Sequence, residues 1–262
     1  MLNKFVFLAC LMGIAVALPQ QLPLGEKSAR ALKVTADTFD SLSPREKIES
    51  VNEMADVIIT EVRLLMGDLG LDPYKLPDVH ENFTFKPIII TYHGELDMER
   101  GWAQDVSEIY RNGNVYMDYT GRILTINVPI KFNKILFNYD YNAKLMDLGP
   151  DGSIEGSATD IQIYFSLALD FNQLVITLNE FDIVKIGKIS CKFTGNGIID
   201  WFVNLLTPIV TGIFKGLITL IAEVIVRSTL ETVIDLLNDA LQNIQPPTSE
   251  IAQVQDNAIK HF

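Results

Sequence analysis

Residues 197–241 read GIIDWFVNLLTPIVTGIFKGLITLIAEVIVRSTLETVIDLLNDAL, and this stretch decides the fold. Pro208 interrupts it early, which predicts a short helix before the proline and one long helix from there to Leu241. Polar residues recur at every fourth position of the long helix and form one narrow ridge, made of Thr211, Lys215, Thr219, Glu223, Arg227, Glu231, Asp235 and Asp239. Most of the remaining circumference is apolar, so the helix must be covered on most of its sides.

A β-sheet and a lipid bilayer are the two coverings that such a helix can have. About 20 apolar residues span the hydrocarbon core of a bilayer, and this helix is long enough. Lys215 and Glu223 lie inside the apolar run, however, and each would cost roughly 2.5 to 3.5 kcal/mol near the middle of a membrane. We therefore predict a helix buried in protein. A membrane span and a helix that inserts only when triggered are the alternatives.

The N-terminus carries the pattern of a secretory signal peptide. Lys4 precedes an apolar run over residues 5–17 that ends with the small residues Ala15 and Ala17. The pattern predicts cleavage after Ala17 and a secreted, extracellular protein. The rest of the chain is expected to form an N-terminal arm, one domain and a C-terminal tail, over residues 18–42, 43–245 and 246–262.

Charge and cysteine content limit the partners of the chain. The formal net charge is −12 and there is no basic cluster, so we expect no nucleic-acid partner and at most peripheral contact with a membrane. A protein partner stays open. Cys10 leaves with the signal peptide, so Cys191 is alone in the mature chain and no intramolecular disulfide can form. We interpret Cys191 as a buried apolar group, with an intermolecular disulfide or a reactive thiol as alternatives.

The first predicted element of the domain is an amphipathic helix. Ser43, Pro44 and Glu46 form the sequence of a capping box with proline at the first helical position. Apolar residues then recur every three or four positions until about Met66, and the helix is expected to stop at residues 67–70. One apolar face predicts that this helix packs against another element.

The chain between about Phe83 and Phe193 changes to an alternating apolar and polar pattern, which is typical of strands. The parity of the alternation switches at Asn133-Lys134, and we predict a tight hairpin there. A second hairpin is predicted at Asn172-Gln173. These strands have one apolar face and are long enough to coil. The fold class is therefore α+β, in which a long coiled antiparallel sheet wraps around the long C-terminal helix and the amphipathic helix precedes both.

Several short stretches resemble a known family. They are Leu71-Asp72-Pro73 with Leu76-Pro77-Asp78, His93-Gly94-Glu95-Leu96-Asp97-Met98, and Tyr139-Asp140-Tyr141 with Lys144-Leu145 leading to Asp147-Leu148. They are similar to the group 7 mite allergen family of arthropods and its insect relatives, and the order of elements agrees from about residue 43 to 243. That family resembles one half of the elongated fold of a lipid-carrier superfamily, which includes bactericidal/permeability-increasing protein, takeout proteins and juvenile-hormone-binding proteins. The resemblance implies a sheet wrapped on a helix and, in several members, a lipid or terpenoid in a tunnel between them.

Two departures restrict what the resemblance implies. The early cysteine pair that forms the disulfide of the takeout and hormone-binding branch is missing, and so is the basic tip of the bactericidal branch. The resemblance therefore implies the class of ligand and leaves its identity open.

The sequence offers few groups that could catalyse a reaction. It has three histidines and lacks the Gly-x-Ser-x-Gly, Cys-x-x-Cys, His-Glu-x-x-His and Walker motifs, so we predict no enzymatic activity and no cofactor. His93 is interpreted as a strand residue at a partly wet position. Asp147, Asp151 and Glu155 do not have EF-hand spacing, so no metal site is predicted. Asn82-Phe83-Thr84 is a glycosylation sequon, with Asn82 as the acceptor.

The predicted function is a secreted, non-enzymatic binding protein for a lipid or another small apolar ligand, held between the sheet and the C-terminal helix. The candidate ligand-binding residues are Phe132, Phe137, Tyr139, Phe165, Leu167, Ile176, Phe202, Ile213, Phe214, Gly216, Leu217 and Leu220. Gly212 and Gly216 are expected to leave room for a close backbone approach or a ligand chain. The alternative is a protein-interaction or membrane-surface module in which the same side chains fill the core and no ligand binds.

Overall fold

A computed structural model describes residues 39–244 of the chain, except residues 87, 88, 90, 147 and 197–199. The predicted signal peptide with its cleavage site at Ala17, residues 18–38 of the arm and the tail over residues 246–262 lie outside the described residues. The elements in chain order are α1 Pro44–Asp68, β1 Tyr74–Lys75, β2 Val79–Phe85, β3 Tyr92–Gln104, β4 Ile109–Arg111, β5 Tyr116–Thr120, β6 Ile123–Leu145, β7 Asp151–Asp170, β8 Val175–Lys185, β9 Ile189–Asn196, α2 Asp200–Leu220, a π-helical segment Ile221–Val226, and α3 Arg227–Ile244.

The strands form one antiparallel sheet built on β6 and β7, which pair along almost their full length. At one end the order across the sheet is β2–β3–β6–β7–β9, and we call this part the α2 half because α2 contacts β9. At the other end β4 and β5 pair with β6, and β8 pairs with β7. We call this part the α3 half, because α3 contacts β8 and also α1, which packs on β4. The predicted α+β fold is confirmed.

The start of α1 follows the predicted capping box. The Glu46 amide donates to Ser43 Oγ at 3.4 Å, and the Ser43 amide donates to Glu46 Oε2 at 3.1 Å. Arg111 of β4 then ties α1 to the sheet, because its guanidinium donates to both carboxylate oxygens of Asp56 at 2.7 and 2.9 Å. The helix therefore begins where its local sequence specifies and is fixed in place by a bidentate ion pair.

The predicted hairpin at Asn133-Lys134 is wrong, because β6 runs through these residues as one strand of 23 residues. Both side chains point to solvent, and the register with β7 is unchanged from Phe132↔Ile161 to Lys134↔Thr159. A strand with two consecutive outward residues switches parity as a hairpin does, and local alternation cannot tell the two apart. The second predicted hairpin is confirmed, since a turn at residues 171–174 joins β7 to β8.

The predicted break at Pro208 is also wrong, because α2 continues through the proline. Pro208 and Asn204, whose carbonyl loses its donor, are both exposed, so water can satisfy that carbonyl. The irregularity lies further on, in the π-helical segment Ile221–Val226. The polar ridge is confirmed, with the Arg227 guanidinium 3.5 Å from Glu223 and 3.0 Å from Glu231.

The domain includes residues that we assigned to the N-terminal arm. Phe39 is fully buried, with its ring centroid 5.1 Å from that of Tyr119 and 6.0 Å from that of Phe171. The Tyr119 hydroxyl donates to Asp40 at 2.6 Å. These contacts extend the packed chain at least to Phe39 rather than to residue 43.

Candidate binding site for an apolar ligand

The rest of the protein covers less of the long C-terminal helical segment than its apolar composition predicts. Among the described residues, one helical segment, Asp200–Leu241, is long and apolar enough by length and composition alone to cross a membrane, and 44% of its most apolar window is buried. In α2 a single stripe faces the sheet, made of Phe202, Leu206, Val210, Phe214, Leu217 and Ile218. Much apolar surface of α2 therefore remains at the protein surface.

Part of this apolar surface forms a partly exposed strip beside the buried stripe. Four apolar side chains, spaced by four, four and seven positions, lie half-buried along one side of α2, and we call them the α2 flank: Leu205, Ile209, Ile213 and Leu220. Trp201, which is 43% exposed, lies at the start of the strip. Gly212 and Gly216 are exposed between these residues and leave the strip shallow.

Phe214 anchors α2 to the sheet. Its ring stacks on Phe137 of β6 at a centroid distance of 5.0 Å and lies 6.4 Å from Tyr139. The absence of a side chain at Gly156 of β7 makes room for the ring, since a Cβ atom there would lie 2.2 Å from Phe214. Tyr139 is itself fixed, because its hydroxyl donates to the Pro77 carbonyl at 2.8 Å, and burial raises its pKa.

The predicted ligand-binding residues divide between the two halves of the sheet. Those in the α3 half are buried in the core, namely Phe132, Phe165, Leu167 and Ile176. A cavity beside Phe165, between α1, the sheet and the helix after α2, has a volume of only about 10 Å³. This is roughly the least that one water molecule needs, so the α3 half is filled at this point.

The other predicted residues lie in the α2 half. Those buried against the sheet or α2 are Phe137, Tyr139, Phe202, Phe214 and Leu217. Ile213 and Leu220 belong to the flank, where Gly216 is exposed. The predicted close backbone approach at the glycines is wrong, because a Cβ atom at Gly212 or Gly216 would meet nothing within 4 Å. The sequence analysis missed Leu205 and Ile209, although their spacing of four toward Ile213 was a usable signal.

The first turn of α2 lies at an apolar end of the sheet. Trp201 packs on Phe202 and on Phe85 of β2, with ring centroids 4.5 and 6.0 Å apart. Three apolar side chains near this end are strongly exposed, with fractions of 82, 67 and 78% for Ile89, Met146 and Leu148. The flank therefore opens onto an end of the protein that is itself apolar.

The outer face of the α2 half is polar. A groove of about 540 Å³ lies there, and its lining is mostly charged or polar: Asp97, Glu99, Arg100, Asp140, Tyr141, Asn142, Asp151, Gly152, Ser153, Thr194 and Gly195. Nowhere in the described part of the chain do three His, Cys, Asp or Glu side chains come together as a metal site would require. His93 is exposed on β3, as interpreted, and Asn82 is exposed on β2, so its predicted glycosylation is sterically open.

Comparison with known proteins places the chain in a family. Residues 50–236 match the family described as Group 7 allergen. The chain belongs to this family. It is 23% identical over 187 residues to mite allergen Der f 7 of Dermatophagoides farinae, across 71% of this chain and 86% of the allergen. The family predicted from the short stretches is therefore confirmed.

Two solved structures align with this chain at low sequence identity. Lipopolysaccharide binding protein aligns with a TM-score of 0.45 and 17% identity over 69% of this chain, which spans only 37% of that protein. Takeout 1 of Epiphyas postvittana aligns with a TM-score of 0.37 and 14% identity, over 76% of this chain and 94% of that protein.

In this group 7 allergen family member, Cys191 is half-buried on β9 rather than fully buried as interpreted. Burial raises the pKa of its thiol, against an opposite effect of hydrogen bonds with Thr207 and Thr211 of α2. The thiolate is the reactive form of cysteine. We expect the thiol of the folded mature protein to react with a disulfide reagent at least about tenfold more slowly than that of the guanidinium-unfolded protein. Equal rates would show an exposed, reactive thiol instead.

Proposed function

We propose that this protein is a secreted, non-enzymatic binding protein for a lipid or another small apolar ligand, and that the ligand lies on α2 in the α2 half. The observation that carries the proposal is the flank itself. Leu205, Ile209, Ile213 and Leu220 form a partly exposed apolar strip on the most apolar helix of the described residues. Contiguous exposed apolar surface is typical of ligand and interaction sites.

Covering this strip is favourable by about 25 cal/mol for each Å² of apolar surface removed from water. An apolar chain or ring system fits it because the exposed glycines Gly212 and Gly216 leave space between the larger side chains. The flank also lacks charge, since Lys215 is the one charged residue of α2 after Asp200 and belongs to the polar ridge. A ligand there would contact Ile213 and Leu220 of the predicted residues, whereas Phe132, Phe165, Leu167 and Ile176 serve as core.

The proposal is tested by native mass spectrometry of the chain secreted from eukaryotic cells, followed by solvent extraction. We expect a stoichiometric apolar adduct on the mature chain beginning at Leu18. A clean mass without adduct, and no uptake of fatty alcohols, esters or phospholipids on challenge, would overturn it. The same spectrum reports cleavage after Ala17 and the presence of a glycan on Asn82.

A charge placed on the flank should remove binding. We expect Ile209→Glu to weaken the affinity for an apolar fluorescent probe by about tenfold or more, because the carboxylate would be desolvated under the ligand. Thr219→Glu is the matched control, since Thr219 is exposed on the polar ridge of the same helix, and its affinity should be unchanged. Equal losses in both variants, or none in Ile209→Glu, would remove the flank from the site.

The second candidate function is peripheral contact with a membrane surface through the apolar end. The specific observation is the exposure of Ile89, Met146 and Leu148 around Trp201. Sedimentation with zwitterionic vesicles tests it, and a variant with Met146→Ser and Leu148→Ser should lose any binding. Binding that survives these substitutions would exclude this end as the contact.

A further inference from the structure

Tyr141 has a buried hydroxyl that no protein group satisfies within the part of the chain that the structure describes. Its side chain lies on β6 and is only 4% exposed, and among the described residues no protein group hydrogen-bonds to its Oη atom. Nearly all buried polar groups in proteins are hydrogen-bonded, so each exception needs an explanation. Packing alone does not provide one, because phenylalanine would fill the same space without the cost of a desolvated hydroxyl.

The hydroxyl lies in the half of the sheet that carries the flank. Tyr141 pairs with Gly152 of β7, and its ring meets Phe193 of β9 edge to face at a centroid distance of 5.6 Å. On α2, Phe214 lies over Phe137, and Phe202 lies close to Gly149 beside Ala143. The part of α2 between those two contacts therefore passes over Tyr141.

A neighbouring tyrosine shows that the missing partner is specific to Tyr141. Tyr139 faces the same side of β6 two residues earlier and is equally buried, at 1% exposed. Its hydroxyl donates to the Pro77 carbonyl at 2.8 Å. The local architecture can thus satisfy a buried tyrosine, and among the described residues it supplies no protein acceptor to Tyr141.

The environment of Tyr141 defines the chemistry of the missing partner. Burial raises the pKa of Tyr141, and the nearby carboxylate of Asp151 raises it further, so the phenol stays protonated and can donate. Asp151 also repels an anionic acceptor, as does the net charge of −12. The acceptor that fits is a neutral oxygen, such as a hydroxyl or a carbonyl.

We infer that the Tyr141 hydroxyl is the polar anchor of the ligand, and that the ligand is a neutral apolar molecule with an oxygen acceptor, such as a long-chain alcohol or ester. The oxygen end lies beneath the first turns of α2, and the apolar part emerges on the flank. A mostly apolar site with a single oriented polar group is typical of sites for such molecules. This inference rests on the proposed function and adds the residue that selects the class of ligand.

The test compares ligands that have the same hydrocarbon chain length and differ in the group at its end, which is a hydroxyl, a methyl or a carboxylate. Dodecanol, dodecane and dodecanoate are titrated against the mature wild-type protein, Tyr141→Phe and Tyr139→Phe, loaded with the fluorescent probe N-phenylnaphthylamine. We expect Tyr141→Phe to bind dodecanol about three- to tenfold more weakly than wild type, the usual range for one hydrogen bond, and dodecane equally well. Dodecanoate should be the weakest of the oxygen-bearing ligands for wild type.

Tyr139→Phe is the matched control, since it removes a hydroxyl that already has a partner. It should keep the wild-type ratio of dodecanol to dodecane affinity, even if its melting temperature falls. Tyr141→Phe should melt at or above the wild-type temperature, because the lost hydroxyl had no partner in the unliganded protein.

The outcomes separate this inference from the proposed function. If wild type binds dodecanol and Tyr141→Phe keeps the same ratio of dodecanol to dodecane affinity, the anchor is wrong and the proposed function stands. If wild type binds neither the probe nor any of the ligands, both the proposed function and the Tyr141 anchor are wrong. Preference of wild type for dodecanoate over dodecanol would overturn the assignment of a neutral head.

Discussion

Replacing Phe214 with alanine should lower the free energy of unfolding by about 3 to 5 kcal/mol, the range typical of a large aromatic removed from a core. Phe214 is fully buried and is the contact through which α2 stacks on Phe137 and approaches Tyr139. The cavity left behind would lie over Gly156, which has no side chain to fill it. Urea denaturation followed by tryptophan fluorescence measures the change.

The control for this experiment lies on the same continuous helix. Val224 is 54% exposed, so Val224→Ala should change the free energy of unfolding by about 0.5 kcal/mol or less. A loss below about 1 kcal/mol in Phe214→Ala would show that α2 is held to the sheet by other contacts. Similar losses in both variants would contradict the burial pattern of the helix.

Adding a single methyl group to Gly156 should destabilise the protein by about 1 to 3 kcal/mol, as overpacking of a filled core does. The new Cβ atom would lie 2.2 Å from the Phe214 ring, which is stacked on Phe137 and cannot move away freely. Gly212→Ala is the matched control, and we expect it to change the free energy of unfolding in the opposite direction. Its Cβ atom meets nothing within 4 Å on an exposed helical position, so it should stabilise by about 0.5 to 1 kcal/mol.

A double substitution separates steric from conformational effects at Gly156. In the background of Phe214→Ala the added methyl group has space, so the cost of Gly156→Ala should largely disappear. A cost that persists there would indicate that backbone strain in β7, rather than the ring of Phe214, determines the effect. Thermal or urea denaturation of the four proteins gives the coupling energy directly.

Features that depend on neighbouring residues were predictable from the sequence. The capping box at Ser43 and Glu46 is a local hydrogen-bond pattern, and α1 begins there. The polar ridge from Thr211 to Asp239 follows from helical periodicity, and it faces solvent. The turn between β7 and β8 was also readable, because Asp170 accepts from the amides of Asn172 and Gln173 at 2.7 and 3.2 Å.

The errors fall where one local pattern fits two structures. Two outward residues at Asn133-Lys134 look like a hairpin, but β7 offers a partner with the same irregularity at Thr159-Asp160 and the strand continues. Pro208 looks like a break, but it lies on the solvent side of α2. In both cases the choice depends on a neighbour that is distant in sequence or on which side of the helix faces water.

The candidate site shows the same division. The sequence predicted an apolar helix against an apolar sheet face and named Phe137, Phe202, Ile213 and Phe214 in that interface, without separating core from exposed surface. Which α2 residues remain at the surface depends on how much of the helix the sheet covers. The flank is the part of the apolar surface of α2 that the sheet covers only partly. The partner of the Tyr139 hydroxyl, the Pro77 carbonyl, lies 62 residues away in sequence, so local patterns could not show that Tyr139 has a partner whereas Tyr141 has none among the described residues.

The amino-acid sequence by itself therefore determined the fold class, the start of α1, the apolar character of the C-terminal helix and the family. These follow from periodicity, capping and short motifs, which are set by residues within a few turns of each other. Only the tertiary structure decided which side of α2 the sheet covers, which predicted site residues are buried in the core, and which buried hydroxyl lacks a protein partner among the described residues. Those properties arise from contacts between residues far apart in the chain, and local patterns do not encode such contacts.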